Sequence, residues 1–196
     1  MKIQEEICYL TYQSFPAETA NSLQTISNIK YLVKNGVDVE LIFPLREKKS
    51  NASIEKIKAH YSIREEFKVT GMKHFLPFGR VKIFEGFFFH ISHFTWSFFV
   101  TIFNNNIKSA NLYITRSDWV FLFLSLKKKS VVFECHTESK LRKILMKYSI
   151  KNSRSQVVFV TKSLKTAFSD LAFKAGQDMV LDSGYRAEFF TNKTSE

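Results

Sequence analysis

Cysteine, proline and glycine are all scarce in this sequence, which has two cysteines, three prolines and six glycines among 196 residues. Two cysteines cannot form a disulfide framework or a four-cysteine zinc site, and the histidines and carboxylates lack the spacing of a metal site. So few glycines and prolines leave little room for long flexible linkers. We therefore expect one domain without a metal ion, in a reducing compartment.

The N-terminus lacks the features of a secretory signal, because Glu5 and Glu6 stand where a basic start followed by an apolar run would be needed. We expect a cytoplasmic protein. Residues 11–22, which follow the first predicted strand, contain no glycine, and this excludes the glycine-rich motif of dinucleotide-binding enzymes. The next helix could still receive an anion at its N-terminus. Simple capping by Thr19, Asn21 or Ser22 is the alternative.

Positive charge and phenylalanine are both abundant. The formal net charge is +11, and 21 phenylalanines contribute to a hydrophobic content of 45%, which predicts a packed globule. Residues 101–196 hold 16 basic and 8 acidic side chains and supply most of the excess charge. The positive electrostatic potential of such a protein attracts nucleic acid, anionic lipid or phosphate-bearing ligands, and the net charge alone does not indicate which of them is bound.

Strand-like and helix-like segments alternate along the chain, as in parallel α/β sheets. The first helix is expected to end near Gly36, and Pro44 to stop the second strand, while residues 46–65 show no clear period. The pattern predicts an α/β fold, a single Rossmann-like doubly wound domain over residues 1–182 with a mostly parallel sheet of about seven strands. The predicted strands are 5–13, 37–44, 65–72, 111–117, 130–137, 155–161 and 178–182, and the predicted helices are 20–36, 83–104, 118–126, 138–151 and 163–175.

Polar residues stand at or just after several predicted strand ends, where ligands bind in sheets of this kind. They are Gln13, Ser14, Arg116, His136 and Thr161, and they could face one crevice. An imidazole at His136 could bind a sugar hydroxyl, accept a proton or hold a phosphate, and a structural role is the alternative. Glu134 shares its strand face and would be costly to bury unpaired, so we expect it to contact Arg116 or backbone donors. Cys135 is expected in the core, and Thr137 as the cap of the next helix.

Two segments suggest contact with a membrane surface. Residues 86–103 carry no formal charge, and they predict a buried or half-buried helix, with a helix in the membrane interface and a membrane span as alternatives. In residues 138–151 the lysines recur at helical spacing opposite an apolar face. A solvated outer face is the simpler interpretation, and attachment to anionic lipid is the alternative. These lysines are Lys140, Lys143, Lys147 and Lys151.

Four blocks in sequence resemble the N-terminal domain of family 4 retaining glycosyltransferases, which have the two-Rossmann-domain (GT-B) architecture. The blocks are FPAETANSLQTISNIKYLVKNGVDVELIFP, LYITRS, SVVFECHT and VTKSLKTAF. The resemblance implies that this domain binds the acceptor, whereas a second Rossmann domain binds the nucleotide-sugar donor. No other cofactor is implied. His136 would lie beside the transferred sugar, and the substrate-binding residues would be Ser14, Pro16, Glu18, Asn21, Ser22, Arg116, Glu134 and Thr161.

The donor half of such an enzyme is missing from this sequence. Residues 183–196 resemble the start of the linker to the second domain. We therefore expect an acceptor-binding half that is inactive alone and that pairs with a separate donor-binding domain or subunit. By resemblance, its acceptor would be a glycan or a lipid-linked sugar in cell-envelope polysaccharide or glycolipid synthesis. The alternative is a basic, non-catalytic module that binds anionic lipid, or nucleic acid through Lys127, Lys128 and Lys129, for which no recognition motif is present.

Overall fold

The computed structural model of the chain describes residues 6–46, 49–74, 85–103 and 110–181. In these ranges seven strands alternate with six helices. The strands are β1 (Glu6–Leu10), β2 (Asp38–Leu45), β3 (Lys68–Lys73), β4 (Leu112–Thr115), β5 (Val131–Cys135), β6 (Ser155–Phe159) and β7 (Asp178–Val180). The helices are α1 (Ala20–Lys34), α2 (Ile54–Tyr61), α3 (Glu85–Phe103), α4 (Asp118–Leu126), α5 (Lys140–Ser149) and α6 (Lys162–Ala167).

The strands form one sheet in the order β3-β2-β1-β4-β5-β6-β7, and every neighbouring pair is parallel. The predicted α/β class and the parallel, doubly wound sheet are therefore confirmed. The chain proceeds from β1 to β3 in one direction and from β4 to β7 in the other. The strand order reverses between β1 and β4, and a crevice at such a reversal is where ligands bind in open α/β sheets.

Helices cover both faces of the sheet, and each face has its own apolar core. On one face α1 and α2 cover a cluster that includes Tyr9 and Phe43, and on the other α3, α4 and α5 cover one that includes Leu10 and Phe133. Side chains of a strand alternate between its two faces, which is why neighbours such as Tyr9 and Leu10 enter different clusters. Cys135 is fully buried in the second cluster, as expected.

Hydroxyl side chains cap the N-termini of most of the helices, where the chain turns from a strand into the next helix. Thr19 caps α1, Ser117 caps α4, Ser139 caps α5 and Thr161 caps α6, each by accepting a hydrogen bond from a backbone N–H three residues later. Such caps satisfy donors that the helix itself leaves free. Because all strands are parallel, these four caps stand at the same carboxyl edge of the sheet, and those of α1, α4 and α5 follow the adjacent strands β1, β4 and β5.

Four local predictions were wrong. Residues 46–65 contain α2, a helix of eight residues that Ser53 caps and that buries Ile57 alone, too short for a clear apolar period. Pro44 lies inside β2, because its fixed φ is compatible with extended backbone near a strand end. Ser139 rather than Thr137 caps α5, since the helix begins two residues later than expected.

The fourth correction concerns α6, which ends at Ala167, well before the predicted residue 175. The predicted loop at residues 75–80 and the predicted linker at residues 183–196 lie outside the described residues.

Candidate functional site

A cleft of about 530 Å³ opens at the carboxyl ends of β1, β4 and β5, where the strand order reverses. Its walls come from the segments that follow these strands, from the first half of α3 and from the first turns of α4 and α5. The lining includes Thr11, Tyr12, Gln13, Asn21, Arg46, Phe89, His90, His93, Arg116, Ser117, Asp118, Trp119, Thr137, Ser139, Leu141 and Arg142. Guanidinium groups, hydroxyls and aromatic rings therefore meet at this edge.

Arg116 joins the end of β4 to the start of α1. Its Nε donates to Glu134 Oε2 at 2.6 Å, and its Nη1 donates to the backbone oxygen of Asn21 at 3.2 Å. Its Nη2 is buried and has no hydrogen-bond partner among the described residues. A buried donor without a partner costs free energy, so Arg116 keeps unused hydrogen-bonding capacity at this atom.

Glu134 is the centre of a polar network on the α1 side of the sheet. Besides Arg116, it accepts from the Tyr9 hydroxyl at 2.8 Å and from Asn28 Nδ2 at 3.1 Å, and His136 Nε2 lies 3.7 Å from its Oε2. Burial alone would raise the pKa of the Glu134 carboxyl, but contacts with His136, Arg116 and Tyr9 lower that pKa to about 2. The carboxylate is therefore ionised at neutral pH, and it fixes the orientation of Arg116. The expected Glu134–Arg116 contact is present.

Arg142 forms a second ion pair on the other side of the cleft. Its Nε donates to Asp118 Oδ1 at 2.6 Å, its Nη2 donates to Asp118 Oδ2 at 3.1 Å, and its Nη1 donates to Thr137. Burial lowers the pKa of Arg142, but the Asp118 carboxylate raises it more, so the net change is upward. This two-point contact ties the start of α4 to the start of α5 and holds the guanidinium rigidly at the cleft wall.

The aromatic part of the cleft is built around Tyr12, directly after β1. The His93 ring stacks on the Tyr12 ring with centroids 4.3 Å apart, and His93 Nε2 lies 2.6 Å from Ser117 Oγ. The Tyr12 hydroxyl donates to Ser92 Oγ at 2.9 Å and lies 2.9 Å from His74 Nε2. Burial lowers the pKa of His93 to about 3 and that of His74 to about 4. Both imidazoles are therefore neutral at pH 7.

Arg46 covers the opposite part of Tyr12, with its guanidinium carbon 4.8 Å from the ring centroid. Its Nε donates to Ser14 Oγ at 3.0 Å. This cluster of Tyr12, Arg46, His74 and His93 was not predicted from the sequence, in which Tyr12 lies inside the predicted strand 5–13. Its partners directly follow β2 and β3 or belong to α3, far apart in the chain, so no local pattern joins them.

Two of the predicted substrate-binding residues, Asn21 and Arg116, line the cleft. Ser14 is buried beneath Arg46, and Ser22 is buried and donates to Thr19 O at 2.8 Å. Glu18 is exposed on the loop that contains Pro16. Their proposed contacts with a substrate stay predictions.

His136 and Thr161 follow β5 and β6. His136 is half-buried beside Glu134 and is not among the residues that line the cleft, and Thr161 accepts from Leu164 N at 3.1 Å as the cap of α6. The roles predicted for them, catalysis by His136 and substrate binding by Thr161 and Glu134, are not tested by this geometry.

A metal ion has no evident site in residues 6–46, 49–74, 85–103 and 110–181, where no three His, Cys, Asp or Glu side chains come close enough to share one. The chemistry available to the described cleft is that of cationic, hydroxyl and aromatic groups. Such a set can bind anions and sugar rings.

Two solved structures are similar in fold to this chain. No protein-family model matches the sequence, and no curated protein is significantly similar to it. HepE from Anabaena, crystallised in complex with UDP and glucose, matches 93% of this chain with a TM-score of 0.55 at 12% identity. A glycosyltransferase from Rickettsia africae matches 96% of this chain with a TM-score of 0.53, also at 12% identity.

The chain has a glycosyltransferase-like fold. It spans 45% of the length of each of these two proteins, so the match covers less than half of either one. Within the glycosyltransferase-like fold, the cleft described above lies at the reversal of strand order. The identity of 12% is too low to transfer the role of any residue, and what the side chains do has to be argued from the cleft itself.

Proposed function

We propose that this chain is the acceptor-binding half of a nucleotide-sugar-dependent glycosyltransferase, the N-terminal half of a family 4 enzyme with the GT-B architecture. The reaction would be hexosyl transfer in the synthesis of a cell-envelope polysaccharide or glycolipid, at the cytoplasmic side. The glycosyltransferase-like fold and the 45% coverage of two solved structures support this proposal. The observation that carries it is the cationic, aromatic cleft at the reversal of strand order.

The composition of the cleft favours an acidic sugar or a sugar phosphate as the acceptor. The described lining has three arginines, Arg46, Arg116 and Arg142, against one carboxylate, Asp118. Guanidinium groups bind carboxylates and phosphates through paired hydrogen bonds, and aromatic rings offer apolar faces to sugar rings. Asp118 pairs with Arg142 and Glu134 pairs with Arg116, so these two guanidinium groups are held in place as hydrogen-bond donors at the cleft.

In this proposal the residues of the cleft and the residues beside it have different roles. Arg116 and Asn21 bind the acceptor, and Glu134 is a positioning residue that holds Arg116. His136 would act beside the transferred sugar, as the sequence resemblance implies. The leaving nucleotide needs cationic groups on the donor side, and these would come from a second domain or subunit because positioning both substrates requires a complete cleft. HepE was crystallised with UDP and glucose, and a donor of that kind would bind to the second half.

The first test measures glycan binding by the chain without any donor. Oligogalacturonides serve as acidic probes and malto-oligosaccharides as neutral ones, with binding followed by isothermal titration calorimetry. We expect acidic probes to bind more tightly, and Arg116→Met to weaken that binding by about tenfold or more, since hydrogen bonds to charged groups contribute about 1.5–3 kcal/mol. Asn21→Ala should weaken binding without loss of stability, because the Asn21 side chain is exposed.

Arg154→Met is the matched control, because Arg154 is exposed beside β6 and does not line the cleft. Equal weakening by Arg154→Met would show that only net charge matters, and the proposed site would then be wrong. Tight binding of UDP-glucose by the chain alone, with no glycan binding, would assign the donor role instead. Binding of single-stranded DNA that falls steeply with salt would favour the nucleic-acid alternative.

A further inference from the structure

The outer surface of α3 exposes more apolar area than a helix of a soluble domain usually does. Seven large apolar side chains between Gly86 and Phe103 are more than a third exposed, with Phe87 and Phe103 each 64% exposed. They are Phe87, Phe88, Ile91, Phe94, Phe98, Phe99 and Phe103. A contiguous exposed apolar surface of this kind marks an interaction site.

α3 has the composition of a membrane span but cannot serve as one in this fold. Gly86–Phe103 has a mean hydropathy of 1.2 and is long enough to cross a bilayer, and 33% of this segment is buried inside the fold. Its inner side packs Trp96 and Val100 into the core on the sheet. Because that side is occupied by the sheet, the helix can present only its outer side to lipid, lying parallel to a membrane surface.

α4 extends the same apolar surface away from α3. The Phe94 ring contacts the Trp119 ring edge-on at 4.9 Å, and the Phe123 ring lies 5.6 Å from both the Phe94 and Phe98 rings. Leu126, at the end of α4, is 66% exposed. We name this surface of α3 and α4 the aromatic face.

Lysines are exposed on the elements next to the aromatic face, and acidic residues are few in α3, α4 and α5. Glu85 begins α3, Gly86–Phe103 and α5 contain no acidic residue, and α4 contains only Asp118, which pairs with Arg142. Lys128 follows α4, and Lys140 and Lys147 lie on the exposed side of α5, which packs beside α4. Lysines around an apolar surface are the arrangement that attracts a helix to anionic lipid headgroups.

We propose that the aromatic face binds the surface of an anionic bilayer, with the phenylalanines in the interface and the surrounding lysines at the headgroups. Charge complementarity favours this occupant over a second copy of the chain. Two aromatic faces brought together would bring their lysines near one another, and besides the paired Asp118 the helices α3, α4 and α5 contain only Glu85 to offset them. Phe89 and His93 of α3 line the cleft, so a bilayer under this face would lie beside the cleft.

Vesicle flotation tests the proposal. The chain is mixed with vesicles of phosphatidylcholine alone or of phosphatidylcholine with phosphatidylglycerol, and we expect it to float with the anionic vesicles. Phe87→Gln with Phe103→Gln should reduce binding by about tenfold or more, because two exposed phenylalanines no longer enter the interface. Lys128→Glu with Lys147→Glu should reduce binding to anionic vesicles by a similar factor.

Matched controls lie outside the helices α3 to α5. Leu23→Gln with Tyr31→Gln changes two exposed apolar residues of α1, on the opposite side of the sheet, and Lys49→Glu with Lys56→Glu changes two exposed lysines away from the aromatic face. Both pairs should float like the unchanged chain. Equal losses in the control pairs would show that overall charge or apolarity governs binding, and the proposed face would be wrong.

Two further outcomes would overturn the proposal. One is the absence of flotation with anionic vesicles. The other is a concentration-dependent dimer, seen by analytical ultracentrifugation, that the phenylalanine pair abolishes while vesicle binding is absent, since the face would then join two copies. Glycan binding by the cleft is measured without vesicles, so either result leaves the acceptor proposal untouched.

Discussion

Individual residues at the cleft owe their chemistry to their partners. Glu134 is an ordinary glutamate in the sequence, but Arg116, Tyr9 and His136 surround it and keep it ionised with a pKa of about 2. His93 is an ordinary histidine that burial keeps neutral. The two residues change stability with pH in different ranges, and each range can be measured.

Glu134 should stabilise the fold above pH 4.5 and lose that contribution in acid. Its pKa in the folded state is lowered from 4.5 to about 2, so the stabilisation is complete above about 4.5 and disappears as the pH falls toward 2. It amounts to about 3 kcal/mol at pH 7. Glu134→Gln should lower the free energy of unfolding by about this amount in urea denaturation at pH 7, and the difference from the unchanged chain should narrow at pH 3.

Glu18→Gln is the control for that experiment, because Glu18 is exposed. It should leave the free energy of unfolding within about 0.5 kcal/mol of the original. A loss for Glu134→Gln that is as small as that of Glu18→Gln would contradict the network around Glu134.

His93 should destabilise the fold as the pH falls below 6.5. The pKa of His93 is lowered from 6.5 to about 3 because the imidazole is buried. Between these two pH values the unfolded chain binds a proton at His93 and the folded chain does not, so acid favours unfolding. The loss reaches about 2 kcal/mol by pH 5. His93→Gln removes this titration, and its stability difference from the unchanged chain should therefore shrink between pH 7.5 and pH 5 in urea denaturation.

His60→Gln provides the comparison, because His60 is exposed on α2. His60→Gln should leave the free energy of unfolding at pH 7 within about 0.5 kcal/mol of the original. A stability difference for His93→Gln that does not change with pH would show that the His93 imidazole is not buried as described.

At the scale of elements, a close contact between β3 and β2 leaves no room for a side chain at one position of the sheet. β3 is an edge strand, and it approaches the end of β2 closely at Gly71. A Cβ placed there would lie 2.7 Å from Leu45 Cδ2 and 2.8 Å from Ala52 Cβ. The glycine is therefore needed for its small size.

Gly71→Ala should destabilise the protein by about 1–3 kcal/mol, because the added methyl group forces Leu45 and Ala52 apart. Gly86→Ala in α3 is the matched substitution, since nothing lies within 4 Å of a Cβ at Gly86. Alanine there should be neutral or stabilising by up to about 1 kcal/mol, because it favours a helix more than glycine does. Thermal unfolding of the two variants measures both effects, and equal shifts would refute the close contact at β3.

The whole molecule places its two kinds of surface side by side. The cationic cleft lies at the carboxyl edge of the sheet, and the aromatic face covers the outer side of α3 and α4, with α3 contributing to both. The proposed acceptor site and the proposed membrane surface thus depend on one helix. The net charge of +11 favours an anionic partner for each of them.

Apart from α2, the sequence by itself determined the order of the described elements and hence the class of fold. Local periodicity, caps and turns specify where strands and helices stand, and strands joined through helices favour parallel pairing within one sheet. Arg116, directly after β4, and Asn21, in the first turn of α1, were found for the same reason, because strand ends and helix starts are local features. The short helix α2 was missed because eight residues with a single buried apolar side chain carry too little periodic signal.

Only the tertiary structure decided which strand ends share a cleft and which helix face stays uncovered. The stacking of His93 on Tyr12 joins residues 81 positions apart, and the contact between Arg116 and Glu134 depends on β4 lying beside β5. The apolar run of residues 86–103 predicted a buried or half-buried helix, with a helix in the membrane interface and a membrane span as alternatives. Packing of Trp96 and Val100 on the sheet fixed the inner side, and the remaining phenylalanines are exposed because no described element covers them. Contacts between distant segments are absent from local sequence patterns, and for that reason the site required the fold.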